Sequence, residues 1–416
     1  MASSILYSLP RRGMVVLILA LSGALAPLLE SRELELDPII QRGVEQDVLR
    51  IYLQSPEPEM LDLARRAFNT HGSFRVLSSP DDAQFIFQFR SSGSNEVSGR
   101  VLSGSPPEEQ RRLTERGSST RNALLRVADE MVRLTTREPG YFASRMTFVG
   151  DRGQGREVFT SDLFLGEVRQ LTRDGSDSVG PRWSPDGRRI VYTGYFQSGF
   201  PDIFMIDLGT RQRDAIVTLE GTNTGARFSP DGRNLVMTLT GEGDAEVYVA
   251  NTRGRNIRRL TRTNSVQSSP GWSPDGRQII FASDRMGSPQ LYVMNRDGSS
   301  VRRLPTDISR YAAEPDWNPV NPNKIAFTVA VAGRFAIAVY DMDTRRSRFI
   351  TQGPADAVHP RWLADGRHIV FTERTSSSKV LSIVDTRVQE GESPRVRSLH
   401  SSSQGKLSMP DVVMLP

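Results

Sequence analysis

Cysteine is absent from this 416-residue chain. That absence excludes a disulfide framework, thiolate metal sites and cysteine catalysis. It also excludes the lipid anchor of bacterial lipoproteins, whose signal ends at a cysteine. Histidine is scarce: His71, His359, His368 and His400 are scattered and form no His-x₃-His pair, so a His-rich metal site is not expected. Lysine occurs only at Lys324, Lys379 and Lys406, which leaves arginine as nearly the whole basic complement. The net charge is +5, but no basic block accompanies it, and the arginines are interspersed with acids. A nucleic-acid footprint needs such a block. Gly-x-Ser-x-Gly, His-Glu-x-x-His and Walker-type loops are missing as well.

A membrane-spanning run is also lacking. Gly13 to Leu29 is uncharged but only 17 residues long, and Gly23 and Pro27 interrupt it. A spanning helix needs about 20 apolar residues. Arg11 and Arg12 precede this run, Met14 to Leu21 is strongly apolar, and Ala24-Leu25-Ala26 supplies a small-x-small pattern. A positive start, a short apolar stretch and such a site define a cleaved export signal. The mature protein is expected to be exported, with cleavage near Ala26 and a net charge lower by two. The export route, general or twin-arginine, stays open.

What the chain has in quantity is turn formers, 34 Gly and 25 Pro, within a globular balance of 37% hydrophobic and 24% charged residues. After the signal, Val48 to Leu53 reads as a strand. Met60, Leu63, Ala64, Ala67 and Phe68 recur at i, i+3, i+4, i+7 and i+8, one face of an amphipathic helix. Phe74 to Leu77 and Ala83 to Phe89 read as strands, the latter with Phe85, Phe87 and Phe89 on one face. Ser91 to Ser105 reads as turns between short strands, and Glu108 to Ser119 as a polar, charged stretch. Arg121 to about Thr136 reads as a helix burying Leu124, Val127, Ala128, Met131 and Thr135, stopped by Pro139-Gly140. The order predicts a two-layer α/β domain.

Internal repeats dominate the rest. Trp183-Ser-Pro-Asp-Gly-Arg188 recurs at Phe228 to Arg233 and at Trp272 to Arg277. Degenerate copies begin at Trp317 and Trp362. The aromatic positions are 45, 44, 45 and 45 residues apart. A period near 45 with several strands per unit points to a β-propeller. In Ser-Pro-Asp-Gly, Pro presets φ, Asp caps the turn and Gly accepts positive φ. Because the aromatics and Asp-Gly pairs repeat, they are read as inter-blade packing and turns, not ligand contacts. Asp174-Gly-Ser-Asp177 and Asp297-Gly-Ser299 lack the register of a calcium loop and read as turns.

A terminal strand of each unit recurs six times against five aromatic-turn motifs. The first unit, from Met146, lacks an aromatic strand, and Met409 to Leu415 is a spare one. Six blades follow, the last strand completing the first blade and removing the open sheet edge. The expected fold class is mostly β: a six-bladed β-propeller preceded by a small two-layer α/β domain. The expected organisation is a signal over 1–26, a flexible leading segment over 27–47, the α/β domain over 48–140 and the propeller over 141–416. A closed ring has little need of partners for stability, so a monomer is expected.

The innermost strand of each blade begins just before its aromatic. The loops feeding these strands ring the channel mouth and vary between blades, as an asymmetric binding surface requires. The candidate partner-binding residues there are Ser178, Val179, Thr222, Thr224, Gly225, Gln267, Ser268, Arg310, Tyr311, Glu314, Val358 and His359. Arg310, Tyr311, Glu314 and His359 are the best suited to anchoring. No catalytic residue, metal ligand or cofactor is expected.

Ala128-Asp129-Glu130, followed by Glu138-Pro139-Gly140-Tyr141-Phe142 and Arg145-Met146-Thr147-Phe148-Val149, resembles the joint before the first propeller strand in the periplasmic TolB family of the Tol–Pal envelope system. The repeat Trp-Ser-Pro-Asp-Gly-Arg-x-Ile-Val-Phe/Tyr is similar to the PD40 repeat of that family. The resemblance covers nearly the whole chain. It implies a periplasmic, non-enzymatic scaffold that binds the peptidoglycan-associated lipoprotein on one propeller face. It further implies that the first domain and its leading segment contact the inner-membrane TolA protein, linking the inner membrane to outer-membrane integrity and constriction at division. Two other readings compete: an exported propeller enzyme, a lyase or glycosidase with its site in the channel, and a generic PD40 sensor or adaptor. A channel lined by Ser, Thr, Gly and apolar residues would tell against the enzyme.

Overall fold

A computed structural model describes residues 48–151, 153–387 and 394–415. The signal over 1–26 and the leading segment over 27–47 lie outside the described residues.

The first part is a five-stranded sheet with two helices. The strands are β1 (Leu49–Gln54), β2 (Phe74–Val76), β3 (Phe85–Gly93), β4 (Glu96–Ser103) and β5 (Glu108–Arg116), in spatial order β2-β1-β3-β4-β5. β1 pairs with β2 and β3 in parallel, while β3, β4 and β5 form an antiparallel meander. Helix α1 (Pro58–Thr70) begins with Pro at its first position, where the missing N–H has no intrahelical partner to lose. Its buried residues are Met60, Leu63, Ala64, Ala67 and Phe68, the predicted stripe. Helix α2 (Thr120–Thr136) is capped by the Ser119 side chain, which accepts the Asn122 N–H. Phe68 anchors the core, with the rings of Phe74, Phe87 and Phe142 centred 5.1–5.3 Å away.

The structure corrects two expectations. Ser91 to Ser105 is not a run of turns but the end of β3, a tight turn and β4. Glu108 to Arg116 is a strand. In β5 only Leu113 is buried, because this edge strand turns most of its residues to water. The period-2 apolar signal is therefore nearly absent. Charged pairs across the meander replace it, such as Arg116 with Glu96 at 2.9 Å.

The two parts are tied by Asp129. Its carboxylate accepts the backbone N–H of Phe142 at 2.7 Å and of Ala143 at 2.9 Å. Burial raises this carboxyl to about 7, against the pull of those N–H groups.

Beyond the joint, the described residues form six four-stranded antiparallel sheets. Blade 1 consists of Arg145–Asp151, Arg156–Asp162 and Arg169–Gln170, with Leu407–Val413 as its innermost strand. That last strand runs antiparallel to Arg145–Asp151, from Leu407 opposite Gly150 to Val413 opposite Arg145. The carboxy-terminal strand closes the ring as expected. Blades 2 to 6 begin with the innermost strands Ser178–Trp183, Asn223–Phe228, Gln267–Trp272, Ala312–Trp317 and Asp356–Trp362. Each aromatic leans back on the preceding blade. Trp317 packs with Ile280 and Val293 of blade 4, and Trp362 with Ala326 and Ile337 of blade 5. The turns behave as their sequence requires: Asp186, Asp231 and Asp275 each accept the N–H two residues on, and the following glycines have φ of 64–68°.

The helical part sits against the turn end of blades 1 and 6. Arg66 donates to the Phe164 carbonyl, and Arg121 pairs with Asp162 at 2.9 Å. Arg367, in the blade 6 turn, reaches Ser73, Glu138 and Asp385 together. The opposite end of the channel, where the innermost strands begin, is the open face.

Candidate functional site

Each innermost strand breaks its register with the next strand at the same place. The residue at the break has left-handed backbone in all six blades: Met409, Gly180, Gly225, Ser269, Glu314 and His359, with φ between 52 and 67°. A bulge of this kind re-aims side chains and sharpens the local bend. Here it turns the first half of each strand into the rim of the channel mouth. Glycine holds two of the positions without strain, whereas Glu314 and His359 adopt a conformation costly for residues with a Cβ. Their side chains compensate. His359 Nε2 lies 3.1 Å from a Glu314 carboxylate oxygen. The other oxygen accepts the His359 N–H at 2.8 Å and the Thr328 hydroxyl at 2.7 Å. Burial alone would raise the Glu314 carboxyl. His359 and the Thr328 hydroxyl outweigh it and hold the group well below the ordinary carboxylate range.

Two residues further on lies a ring of charge. The position just before each aromatic, or its blade 1 equivalent, holds Asp411, Arg182, Arg227, Gly271, Asp316 and Arg361 for blades 1 to 6. Arg361 bridges Asp411 at 3.4 Å and Asp316 at 3.7 Å. Arg227 reaches past Gly271 to Asp316 at 3.3 Å and to the Pro315 carbonyl at 3.1 Å. A Cβ on Gly271 would lie 2.9 Å from the Arg227 guanidinium, so a larger residue there would push that guanidinium off its path. Both carboxylates also staple neighbouring blades: Asp411 accepts the Trp183 N–H at 2.8 Å and Asp316 the Trp362 N–H at 2.9 Å. The channel is therefore not lined by Ser, Thr, Gly and apolar residues alone. The ring is legible in the sequence as the residue preceding each repeat aromatic.

The predicted site residues divide into three groups. Glu314 and His359 meet on the blade 5 and 6 side, with Tyr311 stacked edge-on against Phe335 nearby and Arg310 exposed. Val179, Thr222, Thr224, Gly225 and Ser268 are partly exposed on the blade 2 to 4 side, and Thr224 shares a hydroxyl contact with Thr193 at 3.1 Å. Ser178, Gln267 and Val358 are buried. Gln267 fastens its own connector through Thr263 and Ser265 and cannot meet a docking surface. The expectation of loops is corrected: nine of the twelve lie within the innermost strands, and only Thr222, Arg310 and Tyr311 are in connections. The sequence reading also missed exposed apolar residues on this face. Phe200, Leu219, Val266 and Met286 project from successive hairpins and connectors of blades 2 to 4, with exposures of 63, 47, 47 and 68%. Apolar side chains gathered on one arc mark an interaction surface more than a catalytic one. Among the described residues no group of His, Asp and Glu is placed to hold a metal, and no helix is long and apolar enough to cross a membrane.

These features define the class: a closed six-bladed β-propeller with a small α/β module on one face and an asymmetric, charged channel mouth on the other. The chain belongs to the TolB beta propeller domain family, whose profile matches residues 132–406. It is 32% identical over 143 residues to the Tol-Pal system protein TolB of Desulfosudis oleivorans, covering 34% of this chain and 32% of that protein. It is 35% identical over 158 residues to the same-named protein of Anaeromyxobacter dehalogenans strain 2CP-1, covering 38% and 36%. The chain thus spans about a third of the length of the curated relatives it matches. Its fold is similar to the crystal structure of TolB from Acinetobacter baumannii, with a TM-score of 0.76 and 23% identity over 89% of this chain and 97% of that one.

Proposed function

We propose that this protein is a non-enzymatic scaffold of the Tol–Pal system that binds the peptidoglycan-associated lipoprotein on its open face. The observation that carries the reading is the asymmetry of that face. Six equivalent rim positions carry five residue types, from bare glycine at two of them to the Glu314–His359 pair, beside an apolar arc from Phe200 to Met286. A binding surface needs such differences, and the ring's own packing does not. The same face lies opposite the contacts with the α/β module, so both can be engaged at once. The leading segment and that module are the proposed contact for the inner-membrane TolA protein, coupling the inner membrane to outer-membrane integrity and division. The exported chain acts in the periplasm as a monomer.

A channel enzyme is disfavoured by the state of its acids. Asp316 and Asp411 are held by backbone N–H groups and arginines, and Glu314 by His359 and Thr328. A general acid or base needs a free carboxyl in reach of substrate.

Titration calorimetry of residues 27–416 with the soluble domain of the lipoprotein tests the reading. Micromolar or tighter binding, weakened about tenfold by His359→Ala or Met286→Asp, is the expected result. No heat and no complex on gel filtration would move the function to the sensor or adaptor reading.

A further inference from the structure

The charge ring is incomplete on one side. Three guanidiniums face two carboxylates: Arg361 holds Asp411 and shares Asp316 with Arg227. Arg182 forms no ion pair with any described residue. The hydrogen bond it makes runs from one guanidinium nitrogen to the Pro181 carbonyl at 2.8 Å. It sits between Asp411, which turns to Trp183 and Arg361, and Arg227, which turns away to Asp316. The rim above this side is empty. A Cβ on Gly180 would meet nothing within 4 Å, and one on Gly225 only the Pro270 ring at 3.9 Å. The equivalent rim positions on blades 5 and 6 are filled by Glu314 and His359, which pair with each other. Half of the mouth is therefore plugged by its own acid. The other half is an open notch above the Arg182 guanidinium, which has no carboxylate of the described residues in ion-pair contact. Burial first, then Arg361 and Arg227, disfavour the charged form of Arg182 and outweigh the pull of Asp411 and Asp316, so a negative group in contact would stabilise it.

We propose that the notch over Gly180 and Gly225 is an oxyanion site, in which a carboxylate or phosphate group bridges Arg182 and Arg227 as Asp316 bridges Arg227 and Arg361. A planar guanidinium favours this geometry for either group. The notch opens on the docking face, which favours an Asp or Glu side chain of the docked lipoprotein as the occupant. That assignment rests on the proposed partner, whereas the oxyanion chemistry does not.

The test has two arms, both on residues 27–416. In the first, inorganic phosphate is titrated at constant ionic strength against a chloride control while the unfolding midpoint is followed. A saturable rise is expected for the wild type and not for Arg182→Gln. Gly180→Glu guards against misfolding: Glu314 already adopts the same left-handed backbone in this chain. This variant should fold, fill the notch and abolish the phosphate response. In the second arm, lipoprotein affinity is measured. A loss of about tenfold or more in both variants assigns the occupant to the partner. A phosphate response with unchanged lipoprotein affinity assigns a free oxyanion. No phosphate response, together with full lipoprotein affinity in Gly180→Glu, overturns the inference and leaves the partner reading intact. Failure of the wild type to bind lipoprotein, with the phosphate response present, removes that reading and leaves the oxyanion site.

Discussion

The Asp411 carboxylate accepts the Trp183 backbone N–H at 2.8 Å, joining residues 228 apart in the chain at the seam where the propeller closes. Asp316 and Trp362 repeat the contact at 2.9 Å between blades 5 and 6. In both places Arg361 holds the same carboxylate from the other side. Removing either acid orphans a buried N–H and takes one of the two counter-charges of Arg361.

Asp411→Leu should therefore destabilise the propeller by roughly 3 kcal/mol. Arg361 keeps Asp316 in that variant and Asp411 in Asp316→Leu, but Asp316→Leu also takes the carboxylate of Arg227 and should cost more. Equilibrium unfolding in urea measures both. Equal effects would show that Arg227 gains nothing from crossing the channel.

Gly271 makes room for that crossing. Gly271→Val would place side-chain atoms where the Arg227 guanidinium passes, 2.9 Å from the ideal Cβ position. The expected outcome is loss of the Arg227–Asp316 contact and a destabilisation of about 1–3 kcal/mol, with Arg227→Met in the same background adding little. Additive effects of the two changes would contradict the arrangement.

The joint with the α/β module should respond to pH on both sides of neutrality. The His71 and His368 rings lie 4.9 Å apart, against Tyr141. Burial, then His368 and Arg367, hold His71 well below its ordinary value. For His368 burial opposes the proton, but Asp365 at 2.5 Å and Asp385 at 3.5 Å prevail and raise it. Neutral His71 contributes stability that is present above the unfolded value, about 6.5, and is lost as pH falls. Charged His368 contributes stability present below that value and lost as pH rises through its folded one. Unfolding midpoints between about pH 5 and 9 should show His71→Phe flattening the acid limb and His368→Gln the alkaline limb. Parallel shifts without a change of shape would contradict the assignment.

Arg367 is the other fastening of that joint, shared among Ser73, Glu138 and Asp385. Arg367→Ala leaves Glu138 to Arg387 and Asp385 to His368 and removes the guanidinium that links the two. It should speed proteolytic cutting near Pro139-Gly140 several-fold before the propeller itself is weakened. Unchanged cutting would mean that Asp129 and the aromatic core carry the joint alone.

Much of this architecture is legible in the residues. Six blades and their closure follow from one spacing and one surplus strand, because a propeller repeats its packing and its turns together. The helix stripe from Met60 to Phe68 is legible for the same reason, a period matched to burial. Strand β5 is not, since an edge strand with only Leu113 buried lacks the alternation that marks strands. The Glu314–His359 pair was within reach as two candidates, but their meeting depends on left-handed bulges that no composition announces. Arg182 and its ring lay one residue before each aromatic and were readable once the repeats are aligned. Phe200 and Met286 were not, because exposure on a hairpin tip is decided by the ring and not by the local sequence.

The most direct test of the central claim is hydrogen–deuterium exchange of residues 27–416 with and without the soluble lipoprotein domain. The account predicts protection in segments 177–181, 308–315 and 356–360 and in the hairpin around Met286, with the turns near Asp186, Asp231 and Asp275 unchanged. Protection confined to the turn face or to the α/β module, with the channel rim unchanged, would contradict it.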